Sequence, residues 1–380
     1  MKIKIGIIAL LLAGNVCAQQ KETVPSIVVV RHETAWYETQ MGLWKADVDK
    51  NPKDANAWYN YYSAVRALRN VSEDDAARKK YEDLCHDIAK KAYDAVPETF
   101  EGNHLMHWDG GAGTVDKKYL EKAYAIAPND PRLSDDLMIY GEMNRDQKKF
   151  HDMAVHMFET QELPGAMLNW AYNLLAELDE NAIVFSAGDN DTYALWLVQE
   201  GMNFRSDVQV INAFLIRDPN YRSKLFKELG LPQLELKEND PDFDELYRHI
   251  LTNQKGIPTY VSVSAMGLFE QVANMDSMYL TGLAYKYCGT SFDNMSVIRR
   301  NYEKRYYLDH LEVVFAVHIA DERARYFKSL YLPSLIKLYK HYEVCEEKEK
   351  MQSMYDLIIR IGKETDQVEE INLQLKQLAD

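Results

Sequence analysis

Prolines divide the first half of this 380-residue chain into helix-sized pieces, and that punctuation constrains the fold more than any other feature. They stand at Pro52, Pro97, Pro128 and Pro164, at intervals of roughly 31–45 residues. A proline lacks the amide hydrogen that a helix interior needs, and its ring collides with the preceding turn, so each one ends a helix. Three of them close the phrases Val48-Asp49-Lys50-Asn51-Pro52, Ala92-Tyr93-Asp94-Ala95-Val96-Pro97 and Ala123-Tyr124-Ala125-Ile126-Ala127-Pro128. Residues 33–178 therefore predict helices throughout. With 47% hydrophobic and 27% charged residues, the chain can bury a sizeable core and does not have the composition of a disordered one.

This pattern resembles the tetratricopeptide repeat, a helix pair of about 34 residues that closes on proline. Leu137, Gly141, Phe150 and Ala154 follow its large–small alternation, and Trp58 takes its aromatic position. The spacing is irregular, so the resemblance implies degenerate repeats; a non-repeat helical bundle is the alternative. Twenty-five tyrosines against 12 phenylalanines fit helix-packing positions such as Tyr59, Tyr61, Tyr62, Tyr93 and Tyr124, where the ring packs and the hydroxyl stays wet.

Near Glu180 the pattern changes. Residues 182–188, 208–214 and 258–264 read as buried strands, and 192–200, 221–229 and 244–254 as helices between them. Alternating strand and helix predicts a parallel sheet with right-handed crossovers, and residues 280–287 predict a last edge strand. The expected fold class is α plus α/β: degenerate tetratricopeptide-like helical repeats flanking a small Rossmann-like parallel-sheet domain. The expected boundaries are a helical domain at 33–178, the α/β domain at 180–289 and a C-terminal helical region at 296–380. That last region has a polar joint at Cys345-Glu346-Glu347-Lys348.

One phrase is distinctive. Gly188-Asp189-Asn190-Asp191-Thr192 follows the first strand, and Gln199-Glu200, Arg205-Ser206-Asp207-Val208 and Asn212 come after it. This series, with Tyr279–Tyr285 further on, resembles the soluble C-terminal region of a Bacteroidota membrane-protein family related to protein O-mannosyltransferases. The membrane-embedded transferase part of those proteins is not present, so the resemblance implies an envelope accessory region and no glycosyl transfer.

Ligands of open α/β sheets bind at the carboxyl ends of the strands. Asp189, Asn190, Asp191, Thr192 and Asn212 are therefore the candidate ligand-binding residues, with a divalent cation on Asp189 and Asp191 as one reading. The competing reading is structural, with Gly188 permitting a tight turn and Asp191 or Thr192 capping the next helix. The Asp-x-Asp spacing only partly matches the haloacid-dehalogenase pattern, since Tyr193 stands where Thr or Val is wanted. His104, His107 and Asp109 form a His-x-x-His-x-Asp group that is a weak zinc candidate on an expected interhelix loop. Ser262 and Ser264 read as a wet sheet-end face. Arg299, Arg300, Lys304 and Arg305 read as a solvated helix face, with an anionic glycan or phosphate as a second possibility.

The acidic balance, 59 Asp and Glu against 44 Lys and Arg, argues against phosphate-neutralising nucleic-acid binding and against an anionic membrane as the main partner. Lys2 and Lys4, the apolar run from Ile5 to Gly14 and the small residues around Ala18 predict a signal peptide at 1–18 and a periplasmic or exported protein. Lipidation at Cys17 is the rival, with Val16 a poor fit before it. No later segment is long and apolar enough to span a bilayer. The expectation is thus a scaffold that binds an envelope protein or peptide, with a glycan possible, without catalysis of its own. The alternative is an envelope enzyme that uses the Asp189/Asp191 turn and a divalent cation on a glycan or phosphate substrate.

Overall fold

The computed structural model describes residues 20–27, 31–110, 117–128, 130–235, 243–254, 256–269, 277–312 and 322–377. The signal-peptide and Cys17 readings lie outside them. The described residues form two compact units, one of residues 20–27 with 32–109, the other of Arg31 with those from Gly110 onward.

The first unit consists of α1 (Thr34–Lys50), α2 (Ala55–Val71), α3 (Asp75–Ala95) and most of α4 (Phe100–Gly110). α1 packs on α2, and α2 on α3. The α1–α2 joint holds Pro52, the α2–α3 joint holds no proline, and both end in an aspartate cap. Asp54 and Asp74 accept the Ala57 and Ala77 amides and so cap α2 and α3. Asn60, fully buried, accepts the Val24 amide at 2.8 Å, while the Trp44 indole donates to the Glu22 carbonyl, pinning residues 22–24 onto α1 and α2. Tyr59, Tyr61 and Tyr62 pack as expected, but Tyr62 is 1% exposed and does not keep the wet hydroxyl expected of it. Tyr124, in the second unit, is 39% exposed and is not a packing residue of that kind.

The segment expected to be a loop around His104 is helix α4. Thr99 supplies its cap, its hydroxyl accepting the Gly102 amide at 3.1 Å. Gly102 is required for packing, since a Cβ there would drive into the Val96 carbonyl.

The second unit begins with α5 (Lys117–Ile126), α6 (Ser134–Asn144), α7 (Gln147–Glu159) and α8 (Gly165–Glu177). The sheet follows, made of β1 (Ile183–Ser186), β2 (Gln209–Asn212), β3 (Thr259–Ser262), β4 (Met278–Leu280) and β5 (Ala284–Tyr287) in the order β2-β1-β3-β5-β4. Between strands lie α9 (Asp189–Met202), α10 (Pro219–Leu229) and α11 (Phe243–Asn253). Both faces of the sheet are covered, which is why β1 and β3 are buried at every position. Val184, Val210 and Tyr260 face the core that holds Trp170 and Trp196. The alternate residues Ile183, Phe185, Ile211 and Val261 face the core of Tyr221, Phe226, Tyr247 and Phe269.

The expected α plus α/β class is present, but the sheet is mixed and not parallel. β1 runs parallel to β2 and β3, whereas β5 is antiparallel to both β3 and β4. The stretch expected to be one edge strand is a hairpin that turns at Thr281-Gly282-Leu283.

The chain closes with α12 (Asn294–Arg300), a wide helical turn at Asn301–Arg305, α13 (Asp309–Glu312), α14 (Glu322–Ser329), α15 (Leu332–Val344), α16 (Lys348–Glu364) and α17 (Val368–Gln377). α14 packs on α8, α15 on α16, and α16 on α17. No described helix is long and apolar enough to cross a membrane.

Candidate functional site

The carboxyl ends of β1, β2 and β3 carry a cluster of buried polar side chains. Asp191 lies in the first turn of α9 and is 4% exposed. Its carboxyl faces back toward the strand, where it accepts the Ala187 amide at 2.7 Å and the Gly188 amide at 2.9 Å. It thereby makes the inward half of a capping box, tying the strand end to the helix start. A third donor is the Ser264 hydroxyl at 2.6 Å, itself in contact with the Ser262 hydroxyl. Burial raises the Asp191 carboxyl above its ordinary range, and the three donors act against that shift.

Thr192, fully buried, shares a hydrogen bond with Ser186 at 2.6 Å and accepts from the Asn212 amide at 2.9 Å. Asn212 in turn accepts the Phe214 and Leu215 amides, which sets the tight turn after β2. The Thr192–Asn212 bond thus links the start of α9 to the end of β2. Asp189 sits on the exposed side of the same turn. Asn190 is half-buried, and its Oδ1 finds no partner among the described residues.

The structure brings Asp191, Thr192 and Asn212 into one polar shell and leaves Asp189 in a different environment. Three of the roughly four acceptor positions on the Asp191 carboxyl are filled by N–H or O–H groups. That surrounds it with positive dipole ends, the opposite of what a bound cation needs. Gly188 has φ −134°, an extended conformation open to any residue, so it is not there for a left-handed turn.

Ser262 and Ser264 are not a wet face. Ser262 is fully buried and Ser264 closes the shell around Asp191. β3 ends at Ser262, and Ser264 lies in the helical turn Val263–Phe269 that follows it, so the alternation expected along one strand does not continue to Ser264.

On the far side of the same βα unit, the rest of the phrase forms a clamp. The Gln199 amide donates to the Arg205 and Val208 carbonyls, both at 2.8 Å. Arg205 donates to the carbonyls of Leu175, Leu178 and Asp179 and to both oxygens of Asp207. Asp207 also accepts the Asn181 amide, and its hydrogen bonds from Arg205 lead in pulling its carboxyl down to about 2. One guanidinium thus satisfies the free Leu175 carbonyl in the last turn of α8 and the Leu178 and Asp179 carbonyls just beyond it.

A second buried carboxyl was not singled out in the sequence. Glu177 ends α8 and receives the Thr281 hydroxyl, the Leu283 amide and the Tyr306 hydroxyl. Burial pushes it up to about 8. A lone acid inside Leu174-Leu175-Ala176-Glu177-Leu178 was its signal. Arg305 donates to the Ala176 carbonyl, and Tyr302 and Tyr306 are buried, so the basic stretch expected to be a solvated face is partly a wall of this pocket of polar groups.

His104 and His107 lie buried in α4, not on a loop. His104 is packed among Tyr59, Phe100 and Trp108, and Asp109 meets His86 at 2.7 Å. The packing is that of an aromatic core.

Residues 167–229 match the model of a family described as TMEM260-associated domain 2. The match runs from α8 to α10 and so contains Glu177, the Gly188–Thr192 phrase, the Arg205 clamp and Asn212. It stops before Ser262 and Ser264, which complete the shell of Asp191. No curated protein and no solved structure matches the chain.

Proposed function

We propose that this protein is an exported, non-catalytic scaffold of the cell envelope, in which helical repeats bind a protein or peptide partner and the α/β region serves as a docking module. The observation that carries this reading is the internal use of the distinctive phrase. Asp191, Thr192, Gln199, Arg205, Asp207 and Asn212 hold strand ends and helix ends together. A reactive carboxylate would have to face a substrate with a free lone pair and a positioned partner.

The repeat reading is supported by helices that pack on their sequence neighbours, the arrangement on which solenoids depend. It is also supported at Gly141, where a Cβ would come within 2.6 Å of the Phe150 backbone nitrogen, so that the small residue admits the next helix. The basic start and apolar run at residues 2–14 support export. The tetratricopeptide and Bacteroidota affinities stay part of this proposal, as do the Rossmann-like character of the sheet and the 33–178, 180–289 and 296–380 boundaries.

The enzyme reading has one specific observation in its favour. Asn190 Oδ1 and Tyr247 Oη are buried without partners among the described residues, and both belong to the surroundings of Asp191. A small polar ligand would satisfy them.

A thermal-shift screen separates the two readings. The purified chain is melted with magnesium, calcium and manganese, with inorganic phosphate, and with nucleotide sugars. The scaffold reading expects no shift from any of them. A shift that is lost in both Asp189→Ala and Asn190→Ala overturns it and moves the function to the sheet edge.

A further inference from the structure

The joint between α15 and α16 gathers three different donor groups. His341 and Cys345 stand four residues apart at the end of α15, hence on one helix face. The helix closes through Glu346, whose φ is +58°, and the Glu347 amide returns to the Tyr342 carbonyl at 2.9 Å. This reversal carries Glu347 back over the last turn. A ring nitrogen of His341, the sulfur of Cys345 and a carboxylate oxygen of Glu347 all lie within 4.8 Å of one another.

Their spacing is that of a coordination polyhedron. Zinc bonds of about 2.3 Å to sulfur and about 2.0 Å to nitrogen, set at a tetrahedral angle, place the two donors about 3.5 Å apart. His341 Nε2 is 3.6 Å from Cys345 Sγ. Thiolate with imidazole also selects a zinc-like ion over magnesium or calcium, which prefer all-oxygen shells.

The ion pairs around Glu347 leave room for this. Lys350 is 2.7 Å from Glu347 but also 3.0 Å from Glu303. Arg299 is 3.4 Å from Glu303 and 3.9 Å from Glu347. Both cations therefore keep Glu303 when the Glu347 side chain turns toward a metal.

We propose that His341, Cys345 and Glu347 bind one zinc-type divalent cation, with a fourth position left to water. Binding displaces the thiol proton of Cys345 to solvent. The site stands on elements other than the strands and helices that form the sheet's carboxyl edge, and it does not depend on the scaffold reading.

The test uses the full chain purified without a histidine tag and kept reduced. Zinc chloride is titrated by calorimetry, and cobalt(II) is used as the spectroscopic probe. The expected result is one equivalent of zinc bound with proton release, and a thiolate-to-cobalt charge-transfer absorption in the near ultraviolet. Cys345→Ser should abolish that absorption. It and His341→Ala should each weaken zinc binding by more than about tenfold, since even an outer partner of a metal ligand is worth that much. Cys288→Ser should change nothing. In the unaltered protein, zinc should slow alkylation of Cys345 by iodoacetamide. Absence of one-equivalent binding, a cobalt absorption that survives Cys345→Ser, or alkylation of Cys345 at the same rate with and without zinc overturns the proposal.

Discussion

The Tyr306 hydroxyl donates to Glu177 Oε2, joining the turn after α12 to the end of α8 around a carboxyl that is 2% exposed. Burial raises that carboxyl from an ordinary value of 4.5 to about 8. The folded chain therefore keeps this proton up to about pH 8, while the unfolded chain releases it near its ordinary value. Between those limits the folded state binds more protons, so the stability contributed by this group falls as pH rises and levels off above the folded value. Glu177→Gln carries no proton to lose. Its urea midpoint should decline less than that of the unaltered protein from about pH 5 to about pH 8, with a difference on the order of a few kcal/mol. Parallel pH profiles would refute the assignment.

Arg205 is a fork whose shape matters as much as its charge. It serves three carbonyls and a carboxylate at once, which a lysine ammonium cannot do in that geometry. Arg205→Lys should cost about 2–4 kcal/mol in chemical denaturation, because buried carbonyls at the end of α8 lose their donor. A loss below about 0.5 kcal/mol would mean that the clamp is ornamental.

Two glycines should behave in opposite ways. Gly141→Ala forces a methyl group against the Phe150 backbone and should destabilise the protein by about 1–3 kcal/mol. Gly188→Ala meets nothing within 4 Å and sits in extended backbone, so its melting temperature should match that of the unaltered protein. A large loss at Gly188 would restore the tight-turn role that the sequence suggested.

The three described cysteines should rank cleanly in alkylation under native, metal-free conditions. Cys345 is exposed and should react first. Cys288 is half-buried, with its thiol pushed up by burial, and should follow. Cys85 is buried in α3, with its thiol raised to about 12 by burial, and should stay unreacted until the protein unfolds. Mass spectrometry of timed samples reads the order directly.

The parts of the fold that were legible in the sequence were those with one dominant signal. β1, β2 and β3 were visible because sheets covered on both faces need continuous apolar runs. The helical character of the first unit was visible because Pro52 and Pro97 follow the ends of α1 and α3, whereas the break between α2 and α3 at residues 72–74 carries no proline and was hidden. The hairpin of β4 and β5 was hidden because Tyr279–Tyr287 is mostly apolar and aromatic, with no polar cluster between the two strands, and only Gly282 hints at a turn. α4 was hidden because Gly102 reads as a loop residue, while its actual role is close approach to Val96. For the candidate site, the sequence identified Asp191, Thr192 and Asn212 but could not show that they bond to one another. The partner that completes the shell, Ser264, is 73 residues from Asp191, and no local pattern reports so distant a contact.

The strand order has a consequence for how the chain becomes ordered. α1, α2 and α3 find their partners among sequence neighbours, so the first unit can assemble as soon as it is made. β1 cannot. It is the middle of three parallel strands, and its second edge stays open until Thr259 and the residues after it arrive. Throughout that wait an apolar strand offers unpaired amide and carbonyl groups to any chain nearby. The period between synthesis of Ser186 and of Ser262 is therefore the interval in which this protein most needs a chaperone, and slowing synthesis there should raise aggregation more than slowing it within the first unit.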